Sequence, residues 1–340
     1  MSRQRLTVVL SQAPGKHPAK RSLEESVAAA LILEPGLDVS IVPNLYDLGP
    51  DHTGRLYLQG VTGDLLVFSW HFPRAAFWLL DRMGVPGKMG ESLIKPASDE
   101  DDTETEPPEG IGSGAAIPDR HIYCIDLREK HNAEPYLAEV RRIAAECRDR
   151  RDEAQRSRPA AAAPLVQLGF GLTPKVPELP AFTPEQLLAP PNRRWYPVID
   201  YSRCTNCLEC LDFCLFGVYG VDRLDRILVE SQDNCKKGCP ACSRVCPEQA
   251  IMFPEYKTPA IAGAPVGEIS GLKIDLSRLF GGEEKDAVSQ AIAERDRELV
   301  ADGRQAVGTA VGLAKRQPAS PAAAKDDLDK LMDDLDALGL

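Results

Sequence analysis

Apolar positions along residues 1–151 switch repeatedly between short continuous runs and a helical period. Residues 5–11 form an apolar run of strand length. Ser22-Leu23-Glu24-Glu25 then reads as a capping box, which predicts a helix from there to about Leu33, ended by Gly36. Residues 39–43 and 64–69 predict two more strands, 73–82 a helix, and 121–127 a fourth strand. Over 135–151, Tyr136, Val140, Ile143 and Cys147 share one helical face, and Cys124 sits mid-strand as a core residue. Strand alternating with helix predicts an α/β domain, a parallel sheet with flanking helices.

The pattern breaks at recognisable places. Residues 98–109 (SDEDDTETEPPE) are nearly all acidic and a Gly-rich stretch follows, so about 96–116 is expected to be an acidic disordered insertion. Residues 152–194 are rich in Pro and Ala and predict a semi-extended linker. Residues 257–300 form a C-terminal extension with a short strand at 272–274 and a helix over 283–300, and 301–322 is a second Ala/Pro linker. In 323–340, Leu328, Leu331, Leu335 and Leu338 fall at helical spacing with aspartates opposite. This acidic amphipathic tail helix is too short to stand alone in water, so docking onto a partner protein is expected of it.

Composition narrows the partners. The chain has 340 residues, a formal net charge of -11 and 43% hydrophobic residues, enough for a sizeable core. The acidic balance argues against nucleic acid and anionic membrane surfaces, and suits a basic patch on another protein. The apolar run LTVVL at 6–10 is too short for a secretory leader, and no stretch is long enough to span a bilayer. A cytoplasmic protein without membrane insertion is expected.

Ten cysteines would suggest disulfides, but eight of them lie between Cys204 and Cys246. The first run is Cys204-x2-Cys207-x2-Cys210-x3-Cys214, and the second is Cys235-x3-Cys239-x2-Cys242-x3-Cys246-Pro247. Three closely spaced thiolates can wrap three corners of one cubane, while the fourth, carried away on a short helical turn, reaches the other. Cluster one would then take Cys204, Cys207, Cys210 and Cys246, and cluster two Cys235, Cys239, Cys242 and Cys214. The runs are also an internal repeat: Cys207, Cys210 and Cys214 recur as Cys239, Cys242 and Cys246 at a constant offset of 32. Each half reads as strand, cysteine loop, short helix, strand, the two related by a pseudo-two-fold axis.

Residues of about 195–256 resemble the bacterial-type ferredoxins with two 4Fe-4S clusters, and the whole arrangement resembles longer bacterial proteins of the ferredoxin family. The resemblance implies a small α+β ferredoxin-like domain, two 4Fe-4S clusters as cofactors, and electron transport between redox protein partners. The chain departs from that family in two places. Leu215 stands where proline usually follows the fourth cysteine, and the second run carries one extra residue within 236–238. The first departure bears on packing and the second on loop shape, hence on the potential of cluster two.

Other chemistries use the same residues. Structural zinc pairs two Cys-x2-Cys elements across a longer gap. Cys235-x3-Cys239-x2-Cys242 matches radical S-adenosylmethionine spacing, but Cys214 can close the open iron and too little chain follows Cys246 for the barrel such enzymes use. A purely structural role is the remaining alternative. Fully coordinated clusters have no open site and can only give and take electrons. Leu208, Phe213, Phe216, Val218, Ile251 and Phe253 would exclude water from them, and Lys236, Lys237 and Arg244 make the second half locally basic.

In an open parallel sheet, ligands sit beyond the carboxyl ends of the strands. Lys16, His17, His71, Arg74 and Arg128 fall there and form a candidate crevice for an anion or cofactor, although no phosphate-loop or dinucleotide signature is present. Two functions follow. One is an electron carrier or redox subunit. The other is an iron-sulfur oxidoreductase whose N-terminal α/β domain binds a flavin or other anionic ligand.

Overall fold

The computed structural model describes residues 5–15, 17–95, 110–114, 116–156, 191–265 and 287–312. The acidic run 98–109, most of the 152–194 linker, the strand expected at 272–274 and the tail helix over 323–340 lie outside the described residues.

Five strands, β1 (Leu6–Ser11), β2 (Leu37–Val42), β3 (Leu65–Ser69), β4 (Lys88–Met89) and β5 (His121–Asp126), form a wholly parallel sheet in the order β2-β1-β3-β5-β4. The period of two along each strand sorts side chains to opposite faces. Leu6, Val8, Leu10, Leu66, Phe68, Tyr123 and Ile125 meet α1 (Pro18–Ile32) and α4 (Ala133–Arg156) through Val27, Leu31, Tyr136, Val140, Ile143 and Cys147. Val9, Leu65, Val67, Ile122 and Cys124 meet α2 (Thr53–Gly60) and α3 (Pro73–Arg82) through Leu58, Ala76, Leu79 and Leu80. Each such aliphatic side chain stabilises the fold by about 1.5–3 kcal/mol on full burial.

Helix α1 starts at Pro18 rather than at the Ser22 box. A proline in the first turn already has helical φ and lacks only an N–H that would be unpaired anyway. Glu24, read from sequence as part of the cap, is instead buried: it accepts from the Ala13 amide at 2.6 Å and the Trp70 indole at 2.9 Å, and pairs with Arg21 at 2.8 Å. This ties the β1–α1 and β3–α3 loops together at the point where strand order reverses. Helix α4 runs on to Arg156, past the expected start of the linker.

A second unit follows. Its elements are β6 (Val198–Ile199), α5 (Glu209–Phe213), β7 (Tyr219–Val221), β8 (Ile227–Val229), α6 (Ala241–Val245) and β9 (Ile251–Met252). β6 pairs antiparallel with β9, and β7 with β8, so the first strand of one half closes on the last strand of the other. The backbone keeps the repeat. α5 and α6 are spaced by the cysteine offset, and two pairs of residues at that offset share the left-handed region: Asn206 (φ 58) with Gly238 (φ 85), and Gly217 (φ 69) with Gln249 (φ 50).

The two units share a core. Tyr196, Val198 and Met252 are buried with Leu79, Leu80 and Cys124 on the α3 face of the parallel sheet. Polar contacts reinforce it: Arg82 donates to the Val229 carbonyl at 3.2 Å and to Gln232 Oε1 at 2.6 Å. After β9, the short helix α7 (Pro259–Ala262) and then α8 (Ala287–Ala301) continue the chain, and α8 lies along α6 with Val288, Ala291 and Ile292 against Phe213, Ala241 and Val245. Among the described residues, no helix is long and apolar enough to cross a membrane.

Candidate metal centre

The eight clustered cysteines lie on two loops and the two short helices that follow them, as free thiols. Electrostatically they fall into two sets. Cys246 acts on Cys204 and Cys210, and Cys207 acts on all three. Cys214 acts on Cys235, Cys239 and Cys242, and Cys239 acts on Cys235 and Cys242. Each set therefore joins three thiols of one run to the last thiol of the other. Cys204, Cys207, Cys210 and Cys246 line one cavity, walled by Ile199, Leu208 and Ile227. Ile199 also borders a larger cavity of about 400 Å³ between the units, with Arg82, Ser113 and Tyr201 on its walls.

Burial pushes the thiols of Cys204, Cys210, Cys214, Cys235, Cys242 and Cys246 up, and that of Cys239 to about 11, so without metal they are protonated at neutral pH. Backbone amides work against that penalty. Cys246 Sγ accepts from Ala250 N–H at 3.3 Å and is also favoured as an anion by the Glu248 amide; Phe216 and Val218, at the repeat positions, do the same for Cys214. The amides of Asn206, Leu211 and Ala241 support Cys204, Cys210 and Cys239. Left-handed residues such as Asn206 and Leu208 turn successive N–H groups to one side of a loop, which makes an anion-binding concavity. Tyr219 adds a hydroxyl donor to Cys242 Sγ at 3.1 Å.

Soft thiols, sulfur-directed amides and apolar walls suit a polynuclear iron-sulfur group. Among the described residues, no three His, Cys, Asp or Glu side chains converge closely enough to hold a single metal ion. A further sign of fit is Arg74 Nη1, a buried donor with no partner among the described residues, on a guanidinium near Cys246.

Elements outside the repeat cover both sets. Residues 110–112 run along the first loop, Ile111 N–H donating to the Cys204 carbonyl and Gly112 N–H to that of Tyr201, both at 3.0 Å. On the other side, Arg295 of α8 is buried, its guanidinium 4.5 Å from the Phe213 ring centre, and it donates to the carbonyls of Gly308 and Val311 at 2.5 and 3.0 Å. Lys236 and Arg244 are paired with Asp302 and Glu294, which leaves Lys237 as the exposed base of that region.

The candidate crevice residues have separate positions. Lys16 lies outside the described residues, and His17 is exposed at the start of α1. His71 is fully enclosed, one nitrogen 2.8 Å from Asn44 Oδ1 and the other on the Pro254 carbonyl; burial lowers its pKa to about 4. Arg74 donates to Asp200 at 2.5 Å and to the Gln249 carbonyl at 2.7 Å. His71 and Arg74 thus face the second unit. Arg128 grips the buried Asp126 carboxylate and stacks 3.9 Å from the Phe72 ring centre, while Lys20 lies over Trp70. Asn44 also reaches Glu255 at 2.7 Å, so residues 254–255 fill part of the carboxyl edge of the sheet. Tyr46, Arg82, Asp200 and Arg295 carry no motif, and no local sequence signal marks them.

Compared with protein-family models, curated proteins and solved structures, the chain matches none.

Proposed function

We propose that the chain is an electron-transfer protein holding two 4Fe-4S clusters, one on Cys204, Cys207, Cys210 and Cys246 and the other on Cys214, Cys235, Cys239 and Cys242, within a ferredoxin-like second unit. The observation that carries this reading is the exchange of the fourth thiol between runs, together with amides placed symmetrically at Cys214 and Cys246. When bound, such clusters supply one-electron couples whose potentials follow charge, hydrogen bonds to sulfur and exposure. The chain's own residues set those terms. Val218, Ile251 and Phe253 keep water out, and the loop amides stabilise negative sulfur. Redox protein partners in a reducing compartment fit the acidic charge and the free cysteines.

The test is anaerobic reconstitution of the full chain, followed by iron and sulfide analysis and a visible spectrum. About eight irons, eight acid-labile sulfides and a broad shoulder near about 400 nm are expected. A preparation that takes up zinc but no iron and sulfide would overturn the proposal. Flavin bands in protein purified without reconstitution would turn the reading toward an oxidoreductase with a cofactor on the first unit.

A further inference from the structure

The peptide unit joining Gln249 to Ala250 is held at both ends. Its N–H donates to Cys246 Sγ at 3.3 Å, and its carbonyl accepts from Arg74 Nη2 at 2.7 Å. At the repeat position, the peptide joining Gly217 to Val218 offers its N–H to Cys214, but its carbonyl accepts from the neutral Asn234 side chain at 3.3 Å, in an exposed setting. At these two turns the backbone is alike, both lying in the left-handed region. Both carbonyls are exposed, and the cap differs in charge: the guanidinium of Arg74, 13% exposed, on one side and a neutral carboxamide on the other.

Hydrogen bonds in series polarise one another. A cation on the carbonyl of an amide strengthens that amide as a donor to sulfur. Asp200, 3% exposed and 2.5 Å from Arg74 Nε, cancels much of the guanidinium's long-range field. It leaves the short-range path through the peptide, along with the unpartnered Nη1. Stronger donation to sulfur favours the more negative, reduced state.

We infer that Arg74, supplied by the first unit, is a positioning residue for the metal group on Cys204, Cys207, Cys210 and Cys246, and that it raises that group's reduction potential through the Gln249–Ala250 peptide. The inference rests on the cluster reading above. It makes the parallel-sheet unit part of the redox centre rather than a carrier for it.

The experiment uses full-length wild type and the variants Arg74→Gln, Arg74→Lys and Arg82→Gln, each reconstituted anaerobically, with iron and sulfide counted before a potentiometric titration read by electron paramagnetic resonance. Arg82→Gln breaks a different bridge between the units and controls for loosened docking. In Arg74→Gln, one of the two potentials is expected to become more negative by a factor of ten or more in the reduced-to-oxidised ratio, about 59 mV for one electron. The other potential stays, Arg82→Gln leaves both, and Arg74→Lys falls between wild type and Arg74→Gln. Unmoved potentials in a fully loaded Arg74→Gln protein would overturn the role of Arg74, as would an equal shift in Arg82→Gln. Failure of the wild type itself to take up iron would instead overturn the cluster reading, and this inference with it.

Discussion

Tyr46 and Tyr196 hold each other at three points. The Tyr46 hydroxyl donates to the Tyr196 carbonyl at 2.6 Å and accepts from the Tyr196 amide at 2.7 Å, while the Tyr196 hydroxyl donates to the Tyr46 carbonyl at 3.0 Å. Their rings lie 4.5 Å apart and both are buried. Burial raises both phenol pKa values, that of Tyr196 to about 12, so both remain neutral donors at any ordinary pH. One residue follows β2 and the other precedes β6, which makes this pair the hinge pin between the units.

Tyr46→Phe strands the amide and the carbonyl of Tyr196 in a dry interface. A loss of about 1–3 kcal/mol per stranded group is expected, seen as a lower denaturant midpoint and faster exchange of the Tyr196 amide. An unchanged midpoint would mean that the pair does not fasten the units.

Exchange of the fourth thiol predicts crossed effects. Cys246→Ala should remove iron from the set built on the first run, and Cys214→Ala from the set built on the second, with about half the iron retained in each. Resonance spectra of the two variants should then be complementary. Loss confined to the mutated run in both cases would show that each run closes on itself.

His71 predicts an acid-sensitive interface. Its folded pKa of about 4 is depressed from 6.5, because burial disfavours the charged ring. A neutral buried histidine contributes stability that is fully present above about 6.5 and is lost as pH falls through 4, where the folded ring must also take up a proton. Over that window the loss is on the order of 3 kcal/mol. Replacing His71 with Gln should flatten the slope of stability against pH between 6.5 and 4; an identical slope would assign it to other groups.

Arg295→Met keeps an apolar stem against Phe213 but removes the donors to Gly308 and Val311. Residues 303–312 should detach, at a cost on the order of 3 kcal/mol for hydrogen bonds from a charged group. Limited proteolysis reads this directly, and protection equal to wild type would sink it.

Much of this arrangement was legible in the sequence wherever the signal is local. The apolar runs at β1, β3 and β5 and the helical face of Tyr136, Val140, Ile143 and Cys147 announce a parallel α/β layer, which the structure has. The 32-residue offset of the cysteines extends to helices and left-handed turns. Helix α2 and strand β4 escaped because each is short, β4 being two residues at the sheet edge. The start of α1 was misplaced because Glu24, in a helix-start pattern, answers to Trp70, far along the chain. His71 and Arg74 were visible as residues at a carboxyl edge, yet nothing near them in sequence names Asn44 or Asp200 as partners. Long-range polar pairing has no periodicity to read.

The closing of β6 by β9 also sets an order of events during synthesis. While the ribosome is still adding residues short of 252, β6 has no strand to pair with, and the loop that begins at Cys204 has its own three thiols but lacks the fourth. The second set has all four of its thiols once Cys242 is made, so the set built on the first run is the last to be completed. The nascent chain therefore passes through a stage in which Cys204, Cys207 and Cys210 wait, open to oxygen, for a fourth thiol that arrives with the same residues that close the sheet.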